Sequence, residues 1–238
     1  MTKPCLVLVP GLLCDAALWQ AQIDRFASRF DILVADVTRD DSMRGMAGRV
    51  LASVPARFAL AGLSMGGYVG QEILREAPER VTRVALVDTA ARPDSAERTE
   101  RRNAMIALAK TGKFKGVTPR LLPLLIHPTR LDDRALTGIV MAMAERVGQA
   151  AFLRQQQAIF GRPDGRPDLT RITCPALVLC GRDDALTPPA LSKEIADAIA
   201  GARLIILDEC GHLSPLERPD AVNQAFEDWL APELAAAG

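Results

Sequence analysis

Short apolar runs alternate with amphipathic segments along most of the chain. Residues 5–9, 58–63 and 176–180 form continuous apolar runs, which are typical of strands buried on both faces of a parallel sheet. Further strands are predicted at 31–37, 84–88 and 203–208, and helices at 15–29, 42–54, 65–77, 190–200 and 219–230. This alternation predicts an α/β fold with a mostly parallel sheet and helices on both of its faces.

The strand pattern stops between residues 92 and 170. Apolar residues spaced three and four apart form a helical stripe there: Leu136, Ile139, Val140, Met143 and Val147. Asp132 and Asp133 precede the stripe, where acidic side chains favour the start of a helix. We therefore expect a core built from residues 1–91 and 171–238, with a helical cap of residues 92–170 inserted after the strand that ends near Asp88.

A serine follows the predicted strand at 58–63. Gly62, Ser64 and Gly66 have the spacing G-x-S-x-G, and a helical pattern begins immediately after them. Glycines let the strand and the helix approach each other closely around a strained turn. Such a turn presents the Ser64 hydroxyl at the carboxyl end of the sheet, beside the positive end of a helix. The motif predicts that Ser64 is a nucleophile rather than part of a turn that serves packing alone.

A serine hydroxyl needs a base before it becomes a strong nucleophile, and the chain has 2 histidines. His212 follows the last predicted strand, so its loop is expected at the same carboxyl edge as Ser64. His127 lies among apolar residues before Pro128 and is interpreted as a structural residue of the cap. His212 is therefore the predicted base.

An acid that orients the base is expected at the same edge of the sheet. Asp183 and Asp184 follow the strand at 176–180, and Asp88 ends the strand at 84–88. The chain order of serine, aspartate and histidine is that of one known triad arrangement. The spacing favours the adjacent pair over Asp88 and leaves the choice within that pair open.

Two further motifs make the chain resemble an α/β-hydrolase with a helical cap, over essentially its whole length. The acid motif G-x-x-D-x-x-x-P matches Gly181, Asp184 and Pro188. The base motif G-H-x-x-x-x-E-x-P matches Gly211, His212, Glu217 and Pro219. The resemblance implies a serine hydrolase whose acid is Asp184 rather than Asp183.

The same resemblance implies an oxyanion hole made by the backbone N–H groups of Leu12 and Met65. The loop after the first strand reads Pro10-Gly11-Leu12, where the family usually has His-Gly-x. Because backbone amides bind the oxyanion, the loss of this histidine leaves the hole intact and changes the wall of the acyl pocket.

Charge excludes a general polyanion binder, because 29 basic residues are balanced by 29 acidic ones. The balance is uneven along the chain. Between Arg92 and Asp168 there are 14 basic and 8 acidic residues, a net charge of +6, and the rest of the chain carries −6. This positive cap is interpreted either as a solvated surface or as a lid that attracts an anionic or carrier-bound substrate.

The 5 cysteines are widely separated and lack the C-x-x-C spacing of metal or redox sites, so they are expected to be free thiols. The first apolar run is broken by Pro10 and Gly11, so it does not resemble a signal peptide. No run is long enough for a membrane span. These features predict a cytoplasmic protein that binds neither membranes nor nucleic acid.

The sequence thus predicts a hydrolase of carboxylic esters, extending to lactones or thioesters, that works through an acyl-enzyme. No metal or organic cofactor is required, because the triad supplies both the nucleophile and the proton transfer. Three alternatives on the same fold stay open: a cofactor-free haloperoxidase, a carbon–carbon bond hydrolase and a non-catalytic small-molecule receptor. The expected partner is a small ester or acyl substrate.

Overall fold

The computed structural model describes residues 3–237, without the side chains of residues 113 and 232–237. Within this range, one parallel sheet has the strand order β2-β1-β3-β4-β5-β6. Its strands are β1 (Cys5–Val9), β2 (Asp31–Val34), β3 (Phe58–Leu63), β4 (Val81–Val87), β5 (Ala176–Gly181) and β6 (Arg203–Leu207). The strand order reverses between β1 and β3, and ligands of such sheets bind beyond the carboxyl ends of the strands at this point.

Helices cover both faces of this sheet. They are α1 (Gln20–Phe26), α2 (Met43–Ser53), α3 (Met65–Glu76), α4 (Ala96–Leu108), α5 (Arg134–Phe160), α6 (Arg166–Leu169), α7 (Pro189–Ala198), α8 (Ser214–Glu217) and α9 (Pro219–Ala237).

Two apolar clusters form the core, one on each face, because successive residues of a strand point to opposite sides. Val7 and Val178 belong to the cluster that packs against α2, α3 and α7. Their neighbours Leu6 and Leu177 belong to the cluster that packs against α1 and α9. Burial on both faces explains the continuous apolar runs, and the predicted α/β fold class is confirmed.

The bounds of several predicted elements differ from the observed ones. β4 begins at Val81 rather than at 84, and α9 runs to Ala237 rather than ending at 230. The helix predicted at 15–29 begins as a 3-10 turn over Ala16–Trp19, which the Asp15 carboxylate caps by accepting the Ala17 N–H at 2.9 Å. β2 ends at Val34, three residues early, where its register with β1 ends.

Residues 92–170, called the helical segment below, contain no strand among their described residues. Asp133 caps α5 by accepting the N–H groups of Ala135 and Leu136, both at 3.1 Å. The predicted stripe is narrower than expected, because Ile139 is 40% exposed. The division of the chain into a core and a cap stays a prediction.

Helix α5 bends at Gly148. This residue has φ 75° and ψ 172°, a backbone region open essentially to glycine alone. An added Cβ would meet no atom within 4 Å, so there is room for a larger residue. Glycine is required here by the backbone conformation alone. The second half of α5 then packs against the loops that follow β1 and β2.

We expect Gly148→Ala to lower the free energy of unfolding by about 1–3 kcal/mol, because alanine is strained at this φ and ψ. Gly138→Ala, in the regular part of the same helix, is the control and should raise it by about 0.5–1 kcal/mol. Denaturant unfolding of the two variants measures both changes. Equal effects of the two substitutions would contradict the assigned bend.

Candidate active site

A sharp turn joins β3 to α3, with Ser64 at its apex. An added Cβ on Gly62 would lie 2.2 Å from the carbonyl oxygen of Gly66, and one on Gly66 would lie 2.1 Å from that of Val9. The strands β1 and β3 and the helix α3 can therefore meet only where both side chains are absent. This close approach explains both glycines of the G-x-S-x-G motif.

The backbone of Ser64 is strained and held from two sides. Its φ of 54° and ψ of −112° cost an L-residue about 1–3 kcal/mol. The Ser64 N–H donates to the Val87 carbonyl at 3.0 Å, and the Thr89 hydroxyl donates to the Ser64 carbonyl at 2.8 Å. Bonds from the end of β4 thus fix the direction of the Ser64 side chain.

The structure brings Ser64, His212 and Asp184 together at the carboxyl edge of the sheet. Ser64 Oγ lies 2.9 Å from His212 Nε2, and His212 Nδ1 lies 2.8 Å from Asp184 Oδ2. His212 and Asp184 are each 3% exposed. This geometry suits proton transfer from the hydroxyl to the imidazole, while the catalytic roles stay a prediction.

Four hydrogen bonds hold the Asp184 carboxylate. Besides His212, the Leu186 and Thr187 N–H groups donate to Oδ1 at 2.8 Å each, and the Thr187 hydroxyl donates to Oδ2 at 2.6 Å. Burial opposes the charge, but the charge and hydrogen bond of His212, together with the Thr187 bonds, lower the pKa of Asp184. Asp183, by contrast, has a half-exposed side chain 3.5 Å from His127 Nε2.

Opposing effects set the pKa of His212. Burial alone would lower it, whereas the charge and hydrogen bond of Asp184 raise it. The Arg98 charge opposes this rise, and the net result is a pKa above the usual value of about 6.5. An imidazole of this kind accepts a proton readily.

Asp88, the alternative acid, binds other partners. Its Oδ1 accepts the Gly181 N–H at 2.9 Å, and its Oδ2 accepts the Ser214 N–H at 3.2 Å and hydroxyl at 2.5 Å. Burial, followed by the charge of Asp184, raises the pKa of Asp88 to about 8. Asp88 therefore joins the end of β5 to the loop after His212.

Glu217 also anchors the loop that carries His212, through hydrogen bonds to its backbone. It is 2% exposed, and it accepts the N–H groups of Gly211 at 3.0 Å, Leu213 at 3.2 Å and His127 at 2.7 Å. Burial raises its pKa. The imidazole ring of His127 does not share this contact with Glu217; its Nδ1 accepts the Thr129 N–H at 3.3 Å.

The two residues implied for the oxyanion hole lie next to Ser64. Met65 follows it as the first residue of α3, and Leu12 belongs to the turn after β1. An added Cβ on Gly11 would lie 3.5 Å from Ser64 Cβ, so this turn passes beside the hydroxyl. Within the described residues, neither the Leu12 nor the Met65 N–H donates to a protein acceptor.

The described residues show neither a clustered set of metal ligands nor a cysteine with a lowered pKa. The described side chains contain no group of three or more His, Cys, Asp or Glu that could hold a metal ion. The cysteines are free, and burial raises the pKa of Cys14 to about 12 and that of Cys180 to about 11.

Between residues 3 and 237, no helix is both long and apolar enough to cross a membrane.

Thr187 and Ser214 contact the site and were not predicted. Thr187 stands three residues after Asp184, and an aspartate at this spacing often accepts the N–H groups that follow it, so a local signal exists. Ser214 donates to Asp88, a residue 126 positions earlier. No local pattern indicates a contact of that range.

The parallel sheet with helices on both faces is the fold of an α/β-hydrolase. A family model described as the alpha/beta hydrolase family matches residues 6–225, and the chain belongs to this family. The BpoC protein of Mycobacterium tuberculosis, named as a non-heme bromoperoxidase, is 33% identical over 184 residues, which are 74% of this chain and 68% of that protein. The pimeloyl-[acyl-carrier protein] methyl ester esterase of Nitrosomonas europaea is 25% identical over 242 residues, with 94% of each chain covered.

The fold is also similar to that of a solved lactonase. The enol-lactonase from Burkholderia xenovorans superposes with a TM-score of 0.87 at 28% identity and covers 97% of this chain and 92% of its own. The relatives are thus hydrolases and related enzymes of this fold that act on different substrates.

We expect the Asp88→Asn substitution to change how stability depends on pH. Because the folded-state pKa of Asp88 is raised to about 8, the folded protein keeps a proton that the unfolded chain loses near pH 4. The wild type should therefore lose stability relative to Asp88→Asn by about 1 kcal/mol per pH unit between pH 5 and 7. Urea unfolding across this range measures the difference, and parallel curves would contradict the buried, protonated Asp88.

Proposed function

We propose that the protein is a serine hydrolase that cleaves carboxylic esters, extending to lactones or thioesters, through an acyl-enzyme. The observation that carries the proposal is the chain of contacts from Ser64 Oγ to His212 at 2.9 Å and from His212 to Asp184 at 2.8 Å. The esterase and lactonase relatives, which match more than nine-tenths of the chain, support the ester class.

In this proposal His212 Nε2 takes the Ser64 hydroxyl proton while Oγ attacks the acyl carbon. Asp184 stays ionised and accepts the Nδ1–H of the imidazolium that forms. The carbon–oxygen bond of the ester then breaks, and His212 gives its proton to the leaving alkoxide. Water enters, loses a proton to His212 and attacks the acyl carbon of the acyl-enzyme. The bond from the acyl carbon to Ser64 Oγ then breaks, the acid leaves, and His212 returns its proton to Oγ.

Both tetrahedral intermediates carry a negative oxygen, which needs donors fixed in place beforehand. We assign this role to the backbone N–H groups of Leu12 and Met65. Their lack of protein acceptors and their position beside Ser64 support the assignment. The start of α3 adds positive partial charge at the same point.

The Ser64→Ala substitution should reduce ester hydrolysis by at least about 10⁴-fold, because the nucleophile is lost. Initial rates on p-nitrophenyl esters of increasing acyl length measure the loss, and unchanged thermal unfolding controls for the fold. Wild-type activity that persists in Ser64→Ala would contradict the proposal. Binding of an ester with at most one slow turnover would indicate a receptor.

The charge of the helical segment supports an anionic substrate less than composition alone suggests. Many of its cations already pair with a carboxylate, namely Arg92, Arg102, Arg130, Arg146, Arg162 and Arg166. The side chain of Lys113, counted among the cations, lies outside the described residues. Two of these six pairs reach carboxylates outside the segment, and the other four lie within it.

Arg98 also pairs with a carboxylate, but over a longer distance than these cations do. Its Nε lies 3.8 Å from Asp94, a carboxylate that Arg102 and Arg162 already engage. The charge of Arg98 also acts on His212, as its effect on the imidazole pKa indicates. These observations support a role for Arg98 in attracting a substrate whose acyl chain carries a carboxylate.

We expect Arg98→Gln to lower kcat/KM about tenfold for an ester with a terminal carboxylate on its acyl chain, since one charge-assisted contact is lost. The matched ester that ends in a methyl group should change less than about twofold. Arg101→Gln, an exposed residue of the same helix, is the control for net charge. Equal losses on both esters, or in both variants, would remove Arg98 from substrate recognition.

A further inference from the structure

A buried glutamine joins the helical segment to the turn after β1. Gln155, in the second half of α5, is fully buried. Its Oε1 accepts the Leu13 N–H at 3.1 Å, and its Nε2 donates to the Val37 carbonyl at 3.2 Å. Both ends of the amide are therefore used to bridge two loops at the carboxyl edge of the sheet.

The turn that Gln155 contacts is strained. The Cys14 N–H donates to the Gly11 carbonyl at 3.1 Å, which closes a β-turn with Leu13 at its third position. Leu13 has φ 60°, as a type II turn requires, although glycine normally fills that position. A leucine in this region costs about 1–2 kcal/mol.

Rotation of one peptide would relieve this strain. Types I and II differ by a flip of the central peptide, here Leu12–Leu13, and type I needs no positive φ. The flip would turn the Leu13 N–H away from Gln155 and leave the buried Oε1 without its donor, which is costly. The hydrogen bond from Leu13 therefore favours the strained form of the turn.

The same turn carries the Leu12 N–H, which is the proposed oxyanion donor. We propose that Gln155 is a positioning residue of the oxyanion hole, because its bond to the Leu13 N–H anchors the strained turn that holds the Leu12 amide beside Ser64. The inference rests on the proposed function and adds a residue from the helical segment to its machinery.

Other contacts fix the helix that presents Gln155. Arg154 donates through Nε to the Thr38 carbonyl at 2.8 Å, beside the Val37 carbonyl that Gln155 uses. Before the Gly148 bend, Arg146 pairs with Asp15 at 2.7 Å, just after the strained turn. Both halves of α5 are thus anchored, one on each side of the Gly148 bend.

The test compares Gln155→Leu with Gln156→Leu. Gln156 is the next residue and is equally buried, but its side chain accepts from Arg102 at 2.9 Å. The readouts are kcat, KM and the affinity for an aryl boronic acid, whose tetrahedral adduct on a serine places an oxygen in the oxyanion hole. We expect Gln155→Leu to lower kcat and boronate affinity about tenfold each with KM within twofold, and Gln156→Leu to leave all three within about twofold.

Gln155→Glu keeps the test decisive if the leucine variant fails to fold. Burial favours the protonated carboxyl group, which still accepts the Leu13 N–H and donates to the Val37 carbonyl, so boronate affinity should stay within about threefold of the wild type. A tenfold loss in Gln155→Glu, or no loss in a folded Gln155→Leu, would overturn the inference. Equal losses in the Gln155 and Gln156 leucine variants would also overturn it.

Failure of the proposed function would look different. In that case the wild type itself would neither hydrolyse esters nor bind the boronic acid in a manner that depends on Ser64. The Gln155 comparison is made only on a wild type that does both, so the two failures are distinguishable.

Discussion

Hydrogen bonds from the backbone of one short loop hold the geometry of the candidate site together. All four N–H groups of residues 211–214 are donated: two to Glu217, one to the Leu125 carbonyl and one to Asp88. A carboxyl group in the interior is tolerated only when such donors surround it, so the loop and the two acidic side chains stabilise one another. His212 lies in the middle of this arrangement, and its ring can face Ser64 and Asp184 only while the loop keeps this shape.

The two buried aspartates of the site have opposite electrostatic states. Hydrogen bonds and the neighbouring imidazole keep Asp184 ionised, whereas burial beside that charge keeps Asp88 protonated near neutral pH. Environments that push two pKa values apart in this way let one carboxylate carry charge and the other serve as a neutral structural tie. The site therefore holds a single negative charge against His212, which is what an imidazolium intermediate requires.

The sequence predicted the strands, the Ser64 turn and the three residues that meet at it, because each is marked by a local pattern: an apolar run, a glycine spacing or a motif at a strand end. Contacts between residues that are far apart in the sequence have no such local pattern. Asp88 was a candidate acid because it ends a predicted strand. Its hydrogen-bond partners lie more than ninety residues away in the sequence, so no local pattern showed that it binds them instead. Gln155 stands in the run Arg-Gln-Gln-Gln, which reads as a solvated helix face, and only tertiary packing turns one of these glutamines towards the turn after β1.

The central claim is that His212, oriented by Asp184, activates Ser64 as a base. The most direct measurement is the rate of covalent labelling by a fluorophosphonate as a function of pH. Because only the neutral imidazole accepts a proton and the pKa of His212 lies above its usual value, the rate should rise with pH through a single titration whose midpoint exceeds about 6.5. The Asp184→Asn substitution should slow the labelling by about 10³–10⁴-fold. A rate that is independent of pH, or one that Asp184→Asn leaves unchanged, would contradict the account.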